Sequence, residues 1–222
     1  MQATTRRPAV LSGDVSCPRM RGWLHFAALL AAVPTATQLL LHSHTRVAVV
    51  SIAVYAVGLV GLYAVSSGYH LVRWSAAMRA RMRKLDHAMI YLFIGACYTP
   101  ICLLIIGGWF GIALLALGWT TALAGAVTTL SRFAHTRWAA GGYIVVGWLA
   151  VLGFPRVLSR LGVAELALLA AGGLAYTFGS VVLATRRPDP SPRFFGYHEV
   201  WHAMVVAGSA CHFALFWLVV TR

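Results

Sequence analysis

The chain has 222 residues, of which 60% are apolar and only 10% are charged. An ordinary soluble domain carries about 25% charged residues, so a chain this apolar cannot bury its side chains with water as its solvent. The net charge of +13 would suggest nucleic-acid binding in a soluble protein, but here the basic residues lie between apolar segments. Composition therefore excludes a soluble enzyme and a nucleic-acid-binding domain, and it predicts an integral membrane protein.

The amino-terminal segment differs from the rest of the chain. Residues 1–21 contain four arginines and two prolines and show no sustained periodicity, which predicts a basic, disordered cytoplasmic tail. From residue 22 to residue 222 we expect a single membrane domain. Because every backbone polar group within lipid needs an internal partner, the long apolar segments of this domain predict helices.

Seven stretches are apolar over about the 20 residues that cross a bilayer. They are 23–41, 47–71, 87–106, 109–130, 139–155, 162–184 and 198–220. Gly107 and Gly108 separate the third stretch from the fourth and predict a tight reversal. The fifth is the least regular, because glycines and Pro155 shorten its apolar core. The sequence thus predicts an all-α, seven-transmembrane helix bundle.

The basic residues predict how this bundle is oriented. The tail and the loops 72–86, 131–138 and 185–197 together hold 14 Lys and Arg residues, whereas the other connections hold 4. Short loops rich in Lys and Arg stay in the cytoplasm. We therefore expect a cytoplasmic amino terminus and an outside carboxyl terminus, in a multi-pass protein of the plasma membrane.

Polar residues collect at three of the predicted span ends. Ser66 and His70 close the second stretch, Asp86 and His87 open the third, and the string His198-Glu199-Val200-Trp201-His202 opens the seventh. By the predicted topology, all three places meet the cytoplasmic face. A single His or Asp at a span end usually only solvates the interface. Three such groups at one face favour a shared site.

The spacing of the histidines is that of a metal site. His198 and His202 are four residues apart and share one face of a helix. With His70 as a third ligand they could hold Zn²⁺, in a site that leaves one position for water. Asp86 could then act as the general base. We expect the ring nitrogens of the three histidines to lie within about 4 Å of one another.

The same string also matches the H-E-x-x-H pattern of zinc proteases, in which the glutamate is the base. Glu199, however, lies about 100° around the helix from His198. It can instead stabilise the amino-terminal end of the helix, and both roles remain open.

Other histidines are weaker candidates. His212 lies about 15 Å deeper than His202 and cannot bind the same metal ion, so we expect a packed polar residue there. Interfacial solvation is sufficient for His25, His42, His44 and His135.

Taken together, these motifs resemble the hemolysin III family, the bacterial branch of the progestin and adipoQ receptor group. The resemblance covers Ser66-x-x-x-His70, Leu85-Asp86-His87, Tyr98-Thr99-Pro100, His198-x-x-x-His202, Gly208-Ser209 and His212. It implies a seven-helix bundle that binds zinc through His70, His198 and His202 near the cytoplasmic face, with Asp86 and Ser66 beside the zinc-bound water.

Three functions follow as hypotheses. The receptor members and the related alkaline ceramidases are linked to hydrolysis of lipid amides, so the first is a zinc-dependent hydrolase of amide or ester bonds in membrane lipids. The bacterial branch was named for haemolysis, so the second is a cytolytic or pore-forming protein with a structural metal. The third is an intramembrane metalloprotease that uses Glu199. The substrate and the oligomeric state stay open.

Overall fold

A computed structural model describes residues 18–131 and 137–222. Most of the predicted tail, residues 1–17, lies outside the described residues, and the proposed domain boundary stays a prediction. The described chain forms eight α-helices: α1 (Trp23–Leu41), α2 (Arg46–Leu71), α3 (Ala76–Pro100), α4 (Gly108–Leu130), α5 (Arg137–Trp148), α6 (Phe154–Leu158), α7 (Val163–Thr185) and α8 (Tyr197–Val220).

Six helical segments of the described chain are long and apolar enough to cross a membrane. They are α1, α2, α3 with its continuation to Ile106, α4, α7 and α8. The fifth predicted span is shorter and irregular: α5 gives way to a 3₁₀ helix, Leu149–Gly153, which leads into α6. Pro155 lies at the start of α6, where its missing N–H is tolerated. The protein is therefore an all-helical membrane protein with six candidate spans and one short apolar helical segment.

Helix α3 begins earlier than the sequence predicted. Residues 72–86 were expected to form a loop, but the helix begins at Ala76, after Ser75 accepts a hydrogen bond from the Met78 N–H at 3.4 Å. The segment 76–85 consists almost entirely of Ala, Met, Arg, Lys and Leu, which favour helix strongly enough to extend it past the apolar stretch. Asp86 consequently lies inside a continuous helix and does not open it.

The carboxyl-terminal part of α3 forms the predicted tight reversal. Pro100 cannot donate a backbone hydrogen bond, and from Ile101 to Ile106 the chain continues as a π-helix. Gly107 and Gly108 then take φ angles of +63° and +62°, which are strained for any residue with a Cβ. The chain turns within these two residues and enters α4, as the Gly-Gly pair predicted.

The helices pack mainly against their neighbours in the chain, and α8 also packs against α1, so the first and last helices meet. Core side chains come chiefly from α1, α2, α3 and α8 and surround the fully buried Tyr55. Outward-facing positions are apolar as well: Val57 is 74% exposed and Trp109 is 75% exposed. A surface of this kind is what lipid, and not water, solvates.

Candidate metal centre

The three predicted metal ligands meet at one end of the bundle. His70 lies in the last turn of α2, while His198 and His202 lie in the first two turns of α8. One nitrogen of each ring can be chosen so that all three lie within 4.8 Å of one another. His202 is buried, and the other two are partly buried. These three histidines could hold a metal ion.

The distances can be compared with zinc geometry. Two nitrogens bonded to one tetrahedral zinc at about 2.0–2.1 Å lie roughly 3.3–3.4 Å apart. The Nε2 atoms of His70 and His198 are 3.3 Å apart. The whole set lies within 4.8 Å, which is wider than the expected separation of about 4 Å, so the three nitrogens are farther apart than the sequence predicted. Nδ1 of His202 is buried and has no hydrogen-bond partner among the described residues, and such an atom suits a metal.

A fourth histidine belongs to this site, although the sequence predicted only interfacial solvation for it. His25 in α1 is only 2% exposed, and its ring stacks on that of His202 with the centroids 3.8 Å apart and the planes at 14°. In the described part of the chain, neither of its ring nitrogens has a hydrogen-bond partner. The interfacial interpretation was therefore wrong. A usable signal was its place two residues into the first span, at the same predicted end as the other histidines.

The start of α1 lies close to His70. Gly22 precedes this helix with a φ of +86°, and a Cβ placed on it would lie 2.7 Å from the Cβ of His70. Real Cβ atoms do not come this close, so only glycine allows α1 to approach the end of α2 here. Gly22 thus allows the chain before α1 to lie close to His70.

Glu199 is engaged in structural contacts. It has no exposed side-chain surface, and its Oε2 accepts a hydrogen bond from the Gly196 N–H at 2.8 Å, at the start of α8. Its Oε1 pairs with Nε of Arg21 at 2.5 Å. Both carboxylate oxygens thus have partners, and this arrangement matches the helix-terminus role considered for Glu199. The ion pair also joins the segment before α1 to α8.

Asp86 and Ser66 lie together near the metal centre. Both are buried, at 7% and 2% exposure, and the Ser66 hydroxyl interacts with the Asp86 carboxylate. His87 is also close to this carboxylate, with its Nδ1 3.8 Å from Oδ2. Ser66 and Asp86 line the same cavity as His25 and His202. An acid and a hydroxyl are therefore placed at the polar end of that cavity.

The cavity has a volume of about 400 Å³ and lies between α2, α3, α5, α7 and α8. From its polar end it continues past apolar side chains to Phe154 and Val157 in α6. Two of its lining residues, Trp148 and Leu174, are also 48% and 60% exposed on the outer surface, so it reaches the lipid-facing side between α5 and α7. The Trp148 indole N–H donates to Thr177 Oγ1 across this gap at 3.1 Å. The cavity is therefore apolar along most of its length and polar at one end.

Comparison with known sequences agrees with these features. A sequence profile of the family described as Haemolysin-III related matches residues 14–213. The chain is 30% identical to Hemolysin-3 of Bacillus cereus over 205 residues, which is 89% of this chain and 90% of that protein. It is 29% identical to the Hemolysin-3 homolog of Bacillus subtilis over 168 residues, 74% and 75% of the two chains. The human monocyte to macrophage differentiation factor is 26% identical over 185 residues, 76% and 70% of the two chains.

Proposed function

Because this chain belongs to the haemolysin-III-related family, we propose that it is a zinc-dependent membrane hydrolase that cleaves an amide or ester bond in a lipid. The observation that carries this proposal is the convergence of His70, His198 and His202, together with a mostly apolar cavity that His202 and the buried Asp86 both line. Three imidazoles are a donor set typical of catalytic zinc. A soluble substrate would gain little from so apolar a cavity.

Each group of the centre has a distinct task in this proposal. The three histidines hold the ion, and the ion when bound supplies Lewis-acid activation of the carbonyl and of water. Asp86 accepts a proton at its carboxylate as general base. The Ser66 hydroxyl, once it turns from Asp86 to the substrate, donates its one hydrogen bond to the oxygen on which negative charge develops. The apolar cavity holds the acyl chain and excludes bulk water from the polar end.

The test combines metal content with hydrolysis of a ceramide by the purified protein in detergent. We expect His202→Ala to lose both zinc and activity. The control is His44→Ala, since His44 is exposed at the opposite end of the bundle and should not matter to either measurement. Zinc content that is unchanged in His202→Ala would contradict the site.

Asp86→Asn separates catalysis from metal binding. The amide is nearly the same size as the acid and cannot act as a base, so we expect zinc to remain while hydrolysis falls by about 10²–10⁴-fold. Full activity in this variant would remove Asp86 from the proposed mechanism.

A cytolytic function is the second candidate, and the printed name of the relative Hemolysin-3 favours it. A pore needs polar side chains through the whole depth of the bilayer. Among the described residues that line the cavity, His25, His202 and Asp86 lie at one end, His212 lies deeper, and most of the remaining lining is apolar. Liposome leakage that persists in the metal-free His202→Ala protein would favour the pore. Absence of leakage with both the wild-type and the His202→Ala protein would favour the hydrolase.

We also propose that the segment from α5 to α6 forms a seventh crossing. Its two α-helices and the 3₁₀ helix between them add up to roughly 35 Å, enough for a hydrocarbon core of about 30 Å. The excess of basic residues at the histidine end supports an amino terminus and a metal centre on the cytoplasmic side, in a protein that we propose lies in the plasma membrane. Alkaline phosphatase fused after Arg222 should then be active, and an inactive fusion would contradict the seventh crossing.

A further inference from the structure

A second pair of polar side chains lies much deeper in the same cavity. His212 of α8 and Tyr176 of α7 both line it, with their ring centroids 5.3 Å apart. His212 is ten residues beyond His202 on one helix, which corresponds to about 15 Å along the axis. At this depth a bilayer offers no water to solvate a polar group. Interfacial solvation therefore does not account for this pair.

The polar atoms of the pair have no partner in the protein. Among the described residues, no group forms a hydrogen bond with either ring nitrogen of His212 or with the Tyr176 hydroxyl. The Leu169 carbonyl lies near the His212 ring but outside hydrogen-bond geometry. Buried polar atoms without partners destabilise a fold, so unpaired atoms on side chains that line a cavity point to a group that binds there.

Other polar groups near this depth do have partners. The Tyr63 hydroxyl pairs with Oγ of Ser209, and the Tyr55 hydroxyl donates to the Ser209 carbonyl at 3.4 Å. Neither tyrosine lines the cavity. Of these four side chains, the two with unpaired polar atoms are the two that line the cavity.

Two glycines make room for the pair. A Cβ on Gly172 would lie 2.4 Å from Cδ2 of His212, and a Cβ on Gly208 would lie 2.7 Å from Cε1 of Tyr176. Each ring therefore lies directly against the backbone of the neighbouring helix. This close packing holds both polar rings in fixed positions at the wall of the cavity.

We propose that His212 and Tyr176 form a second polar subsite, which binds an oxygen carried partway along the chain of a lipid, such as a mid-chain hydroxyl group. This inference rests on the proposed lipid-binding function of the cavity. A hydroxyl both donates and accepts, so it suits a neutral imidazole together with a phenol. Water is the alternative occupant, and a subsite filled by water alone would give no preference between a lipid with this oxygen and one without it.

The experiment measures binding and does not depend on hydrolysis. Labelled stearic acid is bound to the purified protein in detergent and displaced either by unlabelled stearic acid or by stearic acid hydroxylated in mid-chain. One added hydrogen bond should make the hydroxylated acid bind roughly three- to tenfold more tightly. Tyr176→Phe and His212→Leu should each bring this ratio close to one while stearic acid itself still binds.

A control accompanies these variants. Tyr55→Phe removes a hydroxyl from a buried tyrosine that does not line the cavity, so it should keep the preference for the hydroxylated acid. Equal affinity of the wild-type protein for the two acids would overturn the subsite, and it would leave the lipid cavity and the proposed hydrolase intact. If neither stearic acid nor its hydroxylated form binds, both the subsite and the proposed lipid-binding function of the cavity are overturned.

Discussion

Breaking the ion pair between Arg21 and Glu199 tests whether Glu199 has a structural role or a catalytic one. Glu199→Gln keeps an acceptor for the Gly196 N–H but leaves Arg21 without its counter-charge. Breaking a buried ion pair by removing one partner costs about 3–5 kcal/mol. The Arg21 side chain is 19% exposed, so we expect the lower end of this range, about 3 kcal/mol. For a chain of this length, that is a fall of roughly 6–12 °C in Tm.

Thermal unfolding of the detergent-solubilised protein, followed by tryptophan fluorescence, measures this effect. Arg21→Met should destabilise the protein as well, because it leaves a fully buried carboxylate unpaired. The double variant should lose less stability than the sum of the two single variants, since no unpaired charge remains. Hydrolysis per folded molecule should be unchanged in Glu199→Gln. A Glu199→Gln protein with the wild-type Tm and no hydrolysis would refute this reasoning and favour the metalloprotease.

Three further predictions concern the walls of the metal centre and of the cavity. Gly22→Ala should lower zinc affinity, because the new Cβ would collide with His70; titration with a competing chelator measures this, and unchanged affinity would contradict the backbone contact. His25→Leu should weaken zinc binding about 10-fold or more, because it releases the stacked ring of His202. Wild-type zinc affinity of this variant in the same titration would show that His25 is only a packing residue. Gly173→Leu should reduce binding of stearic acid while zinc content is retained. A Cβ on Gly173 meets no atom within 4 Å, so the leucine side chain would enter the cavity. Unaltered binding would mean that the acyl chain binds elsewhere.

The sequence was sufficient for the parts of the site that depend on spacing along one helix. His198 and His202 share a face because an α-helix repeats every 3.6 residues, whatever it packs against. The Gly107-Gly108 reversal was predictable for a similar reason, since left-handed φ angles require glycine. Helical spans were equally predictable, because lipid leaves the backbone few alternatives. The ends of helices were less predictable. The first part of α3 is polar but favours helix, and hydropathy alone placed it in a loop.

The sequence by itself determined the class of protein, six of its apolar spans, and a set of polar groups at one end of the bundle. It did not determine how each helix is rotated about its axis. Helix α1 is apolar on all sides, so no periodicity indicated that His25 faces inward, and only packing against α8 stacks it on His202. The depth and shape of the cavity, the contact of Gly22 with His70 and the pairing of Arg21 with Glu199 also depend on helices distant in the chain. Local sequence preferences set each helix, but contacts between helices decide which side chains meet.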